Sequence, residues 1–459
     1  IDAFVSHNWC VPRRKKFLSL ALHFNFWFAA VTTLFLAVLA GVATALGWLP
    51  VGDSEAFLWP RGVLCRMLCT PTFLLLVFFG SDLCSFFGQK GPIVFLDKTC
   101  IHQEDKVLQR KGIEKLGAFL CHSERMVILY TDFYLRKLWT VYEVASFLAL
   151  HPLDQVTVIP AAVPYVLLTG LFCFWLAIVA SIPLEIHTEF YYGPLLTTYL
   201  LAPLLGRALR GLARSRAHIG KRLDNFKVSD CLCFNESDRP LVYQNIATLM
   251  IETQGLPRDS TTEEALQIFE GLVRDELPGA LRASVGSVAL QYKYMLCISL
   301  GATVPTFLDT LAGWDHGMSP RQLLNLTFWY GTCMLTLTPM FIAVFAALCS
   351  CHLHLRSWQE WMWICTSATI IYAPIFALAY ASKFVHVWND DSDFGLVFFS
   401  SIFFVSTFMT LALVRGATNC RQQPRRNDHG VLSEEDMSSL MRLCRTAESM
   451  ATVSTESFN

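Results

Sequence analysis

Residues 92–150 read PIVFLDKTCIHQEDKVLQRKGIEKLGAFLCHSERMVILYTDFYLRKLWTVYEVASFLAL. They decide the fold, because they form a long run that a lipid bilayer could not accommodate. Two short apolar runs within them, residues 93–96 and 126–130, have the composition of strands buried on both faces. Between these runs, residues 106–121 carry apolar side chains at helical spacing and charged side chains on the opposite face.

This alternation continues beyond the second strand. Residues 135–150 predict another helix, and residues 155–159 predict a third strand. Strands that alternate with helices at this spacing form a parallel sheet with right-handed crossovers. The carboxyl ends of parallel strands lie along one edge, which is where open α/β sheets bind ligands. We therefore expect a small α/β domain with a functional edge.

The chain as a whole is too apolar for an ordinary soluble protein. Of its 459 residues, 54% are hydrophobic and only 16% are charged. This composition predicts a membrane protein, whose first partner is the lipid bilayer. The net charge is -1 and the basic residues lie in a few clusters beside apolar segments, so nucleic-acid binding is not predicted. The 16 cysteines follow no repeated spacing, which argues against a disulfide scaffold.

Apolar segments predict about eight membrane spans, although the fourth is shorter than the roughly 20 residues that a spanning helix needs. These segments are residues 17–48, 62–87, 163–183, 191–205, 294–314, 325–350, 357–382 and 394–414. The main basic clusters, at Arg13–Lys16, Arg207–Arg222, Arg356 and Arg415–Arg426, then all lie on one side. The positive-inside rule makes that side the cytosol, which also receives both termini and the α/β domain.

The first strand of the α/β domain is separated from the second by two of these spans. The predicted segments, in chain order, are the first strand (1–16), a membrane hairpin (17–87), the remainder of the α/β domain (88–160), two spans (161–206), a cytosolic helical region (207–290), four spans (291–415) and a disordered cytosolic tail (416–459). The hairpin occupies the place of a first crossover helix. No fifth strand follows the predicted strand at 155–159, because the chain becomes apolar again soon after it. We therefore expect an interrupted and truncated sheet.

The motifs at the expected sheet edge resemble the TIR fold, a flavodoxin-like parallel sheet. The opening Asp2–His7 is similar to its first strand, and Phe95–Asp97 is similar to its second. Ser123–Leu129, followed by Tyr134 and then by a Trp and a Glu four residues apart, is similar to its later signature.

Two further resemblances involve the same part of the chain. Residues 97–105 also resemble the D-x-x-C-I-x-Q-x-D core of the related HET domain. The series SHNW, FLDKTCIHQ and YEVA at residues 6–9, 95–103 and 142–145 resembles one in polytopic membrane proteins of unknown activity. Together these matches imply a TIR-like domain within a multi-pass protein.

The TIR resemblance implies that Glu143 is the catalytic residue of an NAD nucleosidase. In TIR domains that cleave NAD, this carboxylate stabilises the positive charge that develops on the ribose as nicotinamide leaves. Trp139 precedes Glu143 by one helical turn and projects from the same face. NAD would be a substrate, and no cofactor is required. The alternative is a helix-surface glutamate beside a core tryptophan, as in TIR domains that serve only in assembly.

Further residues are expected at the same edge. Ser6, His7 and Trp9 end the first strand and Asp97 ends the second, where they would hydrogen-bond to a nucleotide or stack on it. Alternatively, Ser6 and His7 only cap a buried strand. The loop Lys98–Glu104 resembles the one that TIR domains use for self-association, so a second copy or another TIR-like domain is an expected partner.

No metal site is predicted. Cys100 and His102 lack nearby partners, and the cluster Cys349–His354 lacks the usual zinc-ligand spacing. Cysteines at this membrane edge are alternatively candidates for palmitoylation. Most predicted spans have no ionisable residue at mid-membrane, which argues against an ion path.

Three functions are consistent with these features, in order of preference. The first is a multi-pass membrane protein that displays a TIR-like domain to the cytosol as a signalling or assembly module. The second is a membrane-anchored NAD glycohydrolase that uses Glu143. The third is a transporter or channel for an uncharged solute.

Overall fold

The computed structural model describes residues 1–408 except 10, 54–58, 103, 132, 188–192, 225, 234, 258, 286–289, 389–396 and 399. Its α-helices are α1 (Arg13–Ala45), α2 (Leu64–Phe86), α3 (Asp97–Cys100), α4 (Lys106–Glu114), α5 (Leu116–Cys121), α6 (Leu138–Leu150), α7 (Val163–His187), α8 (Gly193–Asp224), α9 (Arg239–Thr253), α10 (Thr262–Val285), α11 (Tyr292–Thr310), α12 (Pro320–Thr332), α13 (Thr338–Ser350) and α14 (Ser357–Trp388). Its strands are β1 (Ala3–His7), β2 (Val51–Gly52), β3 (Arg61–Gly62), β4 (Val94–Phe95), β5 (Met126–Tyr130) and β6 (Val156–Pro160). A helical bundle and a small sheet make up the molecule.

Five of the described helices are long and apolar enough to cross a membrane. They are Arg13–Ala45, Leu64–Phe86, Val163–Pro183, Tyr292–Trp314 and Pro320–Ser350. These helices coincide with the first, second, third, fifth and sixth predicted spans, and they fit an integral membrane protein. Helices α8 and α14 cover described parts of the fourth and seventh predicted spans but are not among the five. Part of the eighth predicted span and the whole predicted tail lie outside the described residues.

The sheet is parallel, as the sequence predicts. Its strand order is β4-β1-β5-β6. Strand β1 lies between β4 and β5, which are the next two strands of this sheet along the chain, and β6 pairs with β5. Phe4 of β1 pairs in register with Phe95 of β4, and their rings stack at 4.9 Å between centroids. The second strand is shorter than expected, since Ile93 lies outside it and is exposed. The predicted helix at 106–121 is divided into α4 and α5 at Lys115.

Helix α1 both covers the sheet and belongs to the bundle. Near its start, Leu20 and Phe24 pack on the sheet face formed by Ala3 and Val5. Its 33 residues span about 50 Å at 1.5 Å per residue, whereas the hydrocarbon core of a bilayer is about 30 Å thick. The extra residues of α1 cover one face of the sheet. The sequence predicts no helix for this face. The chain therefore runs back along the sheet from the end of β1, and the carboxyl edge of the sheet points away from the bundle.

Helix α2 returns beside α1 and completes the hairpin. Buried Asn25 of α1 donates from its amide to the carbonyl of Val77 at 2.9 Å and accepts from the Ser81 hydroxyl at 2.7 Å. Both partners lie on α2, so these bonds fix the two helices side by side. The hairpin ends on the side from which it began, which lets β4 pair with β1.

Two buried ion pairs hold the bundle at opposite ends. The carboxylate of Asp309 on α11 accepts from the guanidinium of Arg66 at 3.1 Å and from the backbone N–H groups of Cys65 and Arg66 at the start of α2. At the other end, Arg210 of α8 contacts Glu360 at 3.3 Å. Arg210 also donates to the carbonyls of Cys349, Cys351 and His352 at the end of α13 and just beyond it. Each pair also satisfies backbone groups at or next to a helix end.

Helices α9 and α10 share the core of the sheet. Helix α9 packs on α6, and α10 packs on β6. Buried Phe269 and Val242 from these helices belong to one apolar cluster with Val158 of β6 and Leu138 of α6. The capping box that opens α10 uses Thr261 and Glu264. We use the name α/β domain for the sheet, helices α3–α6 and helices α9 and α10.

We predict that Phe269→Ala weakens the sheet and not only α10. Phe269 is fully buried, and its truncation leaves a cavity that costs about 3–5 kcal/mol of stability. Hydrogen exchange of full-length protein should show faster exchange at Val156–Pro160. The adjacent Ile268 is 37% exposed, so Ile268→Ala is the matched control and should leave that strand protected. Unchanged exchange at β6 in Phe269→Ala would show that α10 does not stabilise the sheet.

Candidate functional site

The carboxyl end of β1 brings Ser6 to Glu143. Residues alternate across a strand, so Phe4 and Ser6 point to one face while Ala3 and Val5 point to the face under α1. On the first face, the Ser6 hydroxyl donates to the carboxyl group of Glu143 on α6. The same hydroxyl lies 2.5 Å from the phenol oxygen of Tyr134, just before α6. Ser6 thus connects β1 to α6 through a buried polar network.

Burial sets the protonation state of Glu143. Its side chain is 8% exposed, so it is not the helix-surface glutamate of the alternative interpretation. The pKa of Glu143 is raised to about 8, mainly because the side chain is removed from water; the Ser6 hydrogen bond opposes this rise, and the negative charge of Asp97 adds to it. At neutral pH Glu143 is therefore mainly a neutral acid. A positive charge brought beside it would favour its ionised form.

Tyr134 also remains protonated. Its ring is fully buried, and burial together with the nearby Glu143 holds the pKa of its phenol well above the usual value. In the sequence, Tyr134 stands out as part of the TIR-like signature. A second signal in the sequence is its position shortly after the end of β5, because residues that follow a parallel strand lie near the carboxyl edge of the sheet.

A second group lies beside the first at the same edge. Asp97 follows β4 and accepts a hydrogen bond from the indole N–H of Trp9. The imidazole Nε2 of His7 lies 3.6 Å from the other carboxylate oxygen, which also accepts from the backbone N–H of Lys98. Burial lowers the pKa of His7 against the opposing effect of Asp97, so the ring is neutral at pH 7. Trp9 is 59% exposed, which leaves an aromatic surface at the rim.

The structure therefore brings together five of the six residues selected from the sequence, namely Ser6, His7, Trp9, Asp97 and Glu143. Trp139 is half-buried against the apolar core and lies edge-on to Tyr142, with ring centroids 5.9 Å apart. Its spacing to Glu143 is one helical turn, but its ring is held by the domain core.

The arrangement can perform one kind of chemistry. A buried carboxyl group next to a hydroxyl, a neutral imidazole and a second carboxylate can receive a polar ligand and stabilise positive charge on it. Within the described residues, no group of three or more His, Cys, Asp or Glu side chains could hold a metal ion. The cysteines and histidine at 349–352 instead present backbone carbonyls to Arg210.

Comparisons with protein-family models, with curated proteins and with solved structures find no match to this chain. A fold by itself does not specify an activity, because function resides in the side chains at a site. Functional assignment for this chain therefore rests on its own residues and their geometry.

We predict that Glu143 makes stability depend on pH. Between its ordinary pKa of 4.5 and about 8, folded protein retains a proton that the unfolded chain has released, so stability falls as pH rises through this window. The full effect is on the order of 5 kcal/mol. Thermal unfolding from pH 5 to pH 9 should show a smaller loss for Glu143→Gln than for the wild type. Glu124→Gln, at an exposed position of the same domain, should keep the wild-type slope.

Proposed function

We propose that this is a multi-pass membrane protein that presents a TIR-like domain to the cytosol as a signalling and assembly module. The observation that carries the proposal is the sheet order. In chain order its strands are arranged second, first, third, fourth, which is the start of the flavodoxin-like order. The Ser6–Glu143 contact at the carboxyl edge adds the residues on which the resemblance rests. The five apolar helices support membrane placement, and the basic clusters support a cytosolic domain.

The hairpin offers a route for a signal between the membrane and the edge. Strand β1 leads into α1 within a few residues, and β4 is reached from the end of α2. A shift of α1 against α2 would therefore move β1 against β4. Because Ser6 lies on β1 and Glu143 on α6, such a shift would change the contact between them. The buried network is the element that the membrane helices would bias.

The loop after β4 is the proposed assembly surface. Lys98, Thr99 and Cys100 are exposed, whereas Ile101 is buried and meets the helix at Gly112. Asp105 then caps α4 by accepting from two backbone N–H groups. The loop is thus anchored at its centre and its end while it presents polar side chains outward. A preformed loop of this kind costs little ordering entropy when a second copy binds.

The second candidate function is cleavage of NAD at the same edge. Its specific support is the raised pKa of Glu143 next to the exposed Trp9 and the neutral His7. The nicotinamide ring of NAD is cationic, and its approach would favour ionisation of Glu143. The resulting carboxylate would stabilise the developing charge on the ribose as the glycosidic bond breaks. The contact with Ser6 would have to open for the ribose to reach Glu143.

NAD turnover separates these two functions. For the enzyme, full-length protein in nanodiscs should release nicotinamide, and Glu143→Gln should abolish release because an amide cannot carry the negative charge. Glu124→Gln is the control and should retain the wild-type rate. Absence of turnover in folded wild-type protein would reject the enzyme and leave the assembly function in place.

A charge reversal in the proposed assembly loop tests the first function. We expect Lys98→Glu to weaken self-association about tenfold, since a like charge would then face the partner loop. Energy transfer between two labelled copies in liposomes gives the measurement. Lys111→Glu changes an exposed lysine on α4 by the same charge and should leave transfer unchanged. Equal transfer in both variants and in wild type would exclude this loop as the contact.

A further inference from the structure

The helical bundle contains a cavity of about 280 Å³. Its lining comes from α2, α7, α8 and α11–α14, and most of it is apolar, as at Phe174, Leu205 and Phe345. Ligand pockets begin at about 300 Å³, so the cavity has room for a small or slender molecule. It lies in the bundle and shares no lining residue with the Ser6–Glu143 edge.

The cavity is elongated along the bundle. Trp329 on α12 and Phe345 on α13 both line it. They are separated by 16 positions of a helix that continues from Pro320 to Ser350, which corresponds to about 24 Å at 1.5 Å per residue. The hydrocarbon core of a bilayer is about 30 Å thick. A long, narrow and apolar space of this length suits a single hydrocarbon chain better than a compact ligand.

Two arginine side chains line one end of the cavity. Among the described lining residues, the charged ones are Arg61 and Arg66, which lie on β3 and at the start of α2. Asp309 holds Arg66, and Arg61 donates to the phenol oxygen of Tyr330 at 2.9 Å. A guanidinium carries five N–H donors in a planar fork that matches a carboxylate or a phosphate. Both arginines lie at the end of the hairpin far from the α/β domain.

The helix formed by α12 and α13 departs from α-helical geometry where it lines the cavity. Residues Cys333–Leu337 form a π-helical turn, and its first and last residues line the cavity. Two side chains of α11 hold the widened turn: Ser299 donates to the carbonyl of Met334 at 2.9 Å, and Tyr292 donates to that of Leu335 at 2.6 Å. Single π turns inside α-helices are frequent at functional sites. The turn is thus a second feature of the helix that lines the cavity.

We propose that this cavity binds a single-chain lipid with an anionic headgroup. The acyl chain lies along the helix from Trp329 to Phe345, and the headgroup meets Arg61 and Arg66. This inference uses the membrane placement proposed above and is independent of the chemistry of Glu143. A lipid bound here lies between α2, α7, α8 and α11–α14, so its binding stabilises one arrangement of these helices.

Photolabelling tests the position of the acyl chain of the bound lipid. Full-length protein in phosphatidylcholine nanodiscs is labelled with a diazirine analogue of palmitate, and the labelled residues are mapped by mass spectrometry. We expect label between residues 329 and 345 and about tenfold less in Ala302→Phe, which fills the cavity. Leu324→Phe adds a ring on the exposed side of α12 and should label like the wild type. Equal label in Ala302→Phe and wild type would overturn the proposal.

Competition tests the headgroup and does not depend on the fold of the filled variant. Palmitate should compete with the label about tenfold better than hexadecanol, because the alcohol lacks the charge. Arg61→Gln should remove this preference, and Arg61→Lys should retain most of it. Lysophosphatidate is compared with palmitate, and whichever competes better identifies the headgroup as phosphate or carboxylate. Equal competition by palmitate and hexadecanol in wild type would overturn the anionic assignment.

Discussion

The structure depends on one pairing, that of β1 with β4. These strands are adjacent in the sheet, yet α1 and α2 lie between them in the chain. The pairing is possible only if the two helices form a hairpin that returns to the side where it began. Asn25 secures this return by bonding to α2 from within the apolar interface. Formation of the sheet therefore depends on formation of the bundle, since β4 can pair with β1 only when α1 and α2 form the hairpin.

The same constraint explains the length of α1. A parallel sheet needs apolar cover on both faces, because its strands are buried on both sides. Helix α1 covers one face with Leu20 and Phe24 before it continues into the bundle, and α6, α9 and α10 contribute to the core on the other face. One continuous helix thus belongs both to the bundle and to the cover of the sheet. Ser6 lies near the end of the strand that leads into this helix.

The buried polar groups of this protein have two different physical roles. Asp309 and Glu360 face arginines, and each pair also serves backbone groups at helix ends, so their charges are compensated. Glu143 faces a neutral serine and a tyrosine, and its burial is compensated by a proton instead of a cation. The protonation of such a carboxyl group changes when a charged group approaches it. This difference separates the structural networks of the bundle from the candidate site at the sheet edge.

Local pattern was sufficient for much of the architecture. Apolar runs placed five helices that can cross a membrane, and the run at 126–130 matched β5, because periodicity and composition report on each segment separately. Strand ends predicted from the same local patterns placed Ser6, His7 and Asp97 along one edge, whereas Glu143 was selected through the TIR resemblance. Tertiary structure alone decided which segments contact one another. The cover of the sheet by α1, the place of α9 and α10 in its core, the burial that raises the pKa of Glu143, the participation of Tyr134 and the cavity beside the π turn all arise between segments distant in sequence. Burial depends on the neighbours that other segments supply, and one segment's sequence does not contain that information.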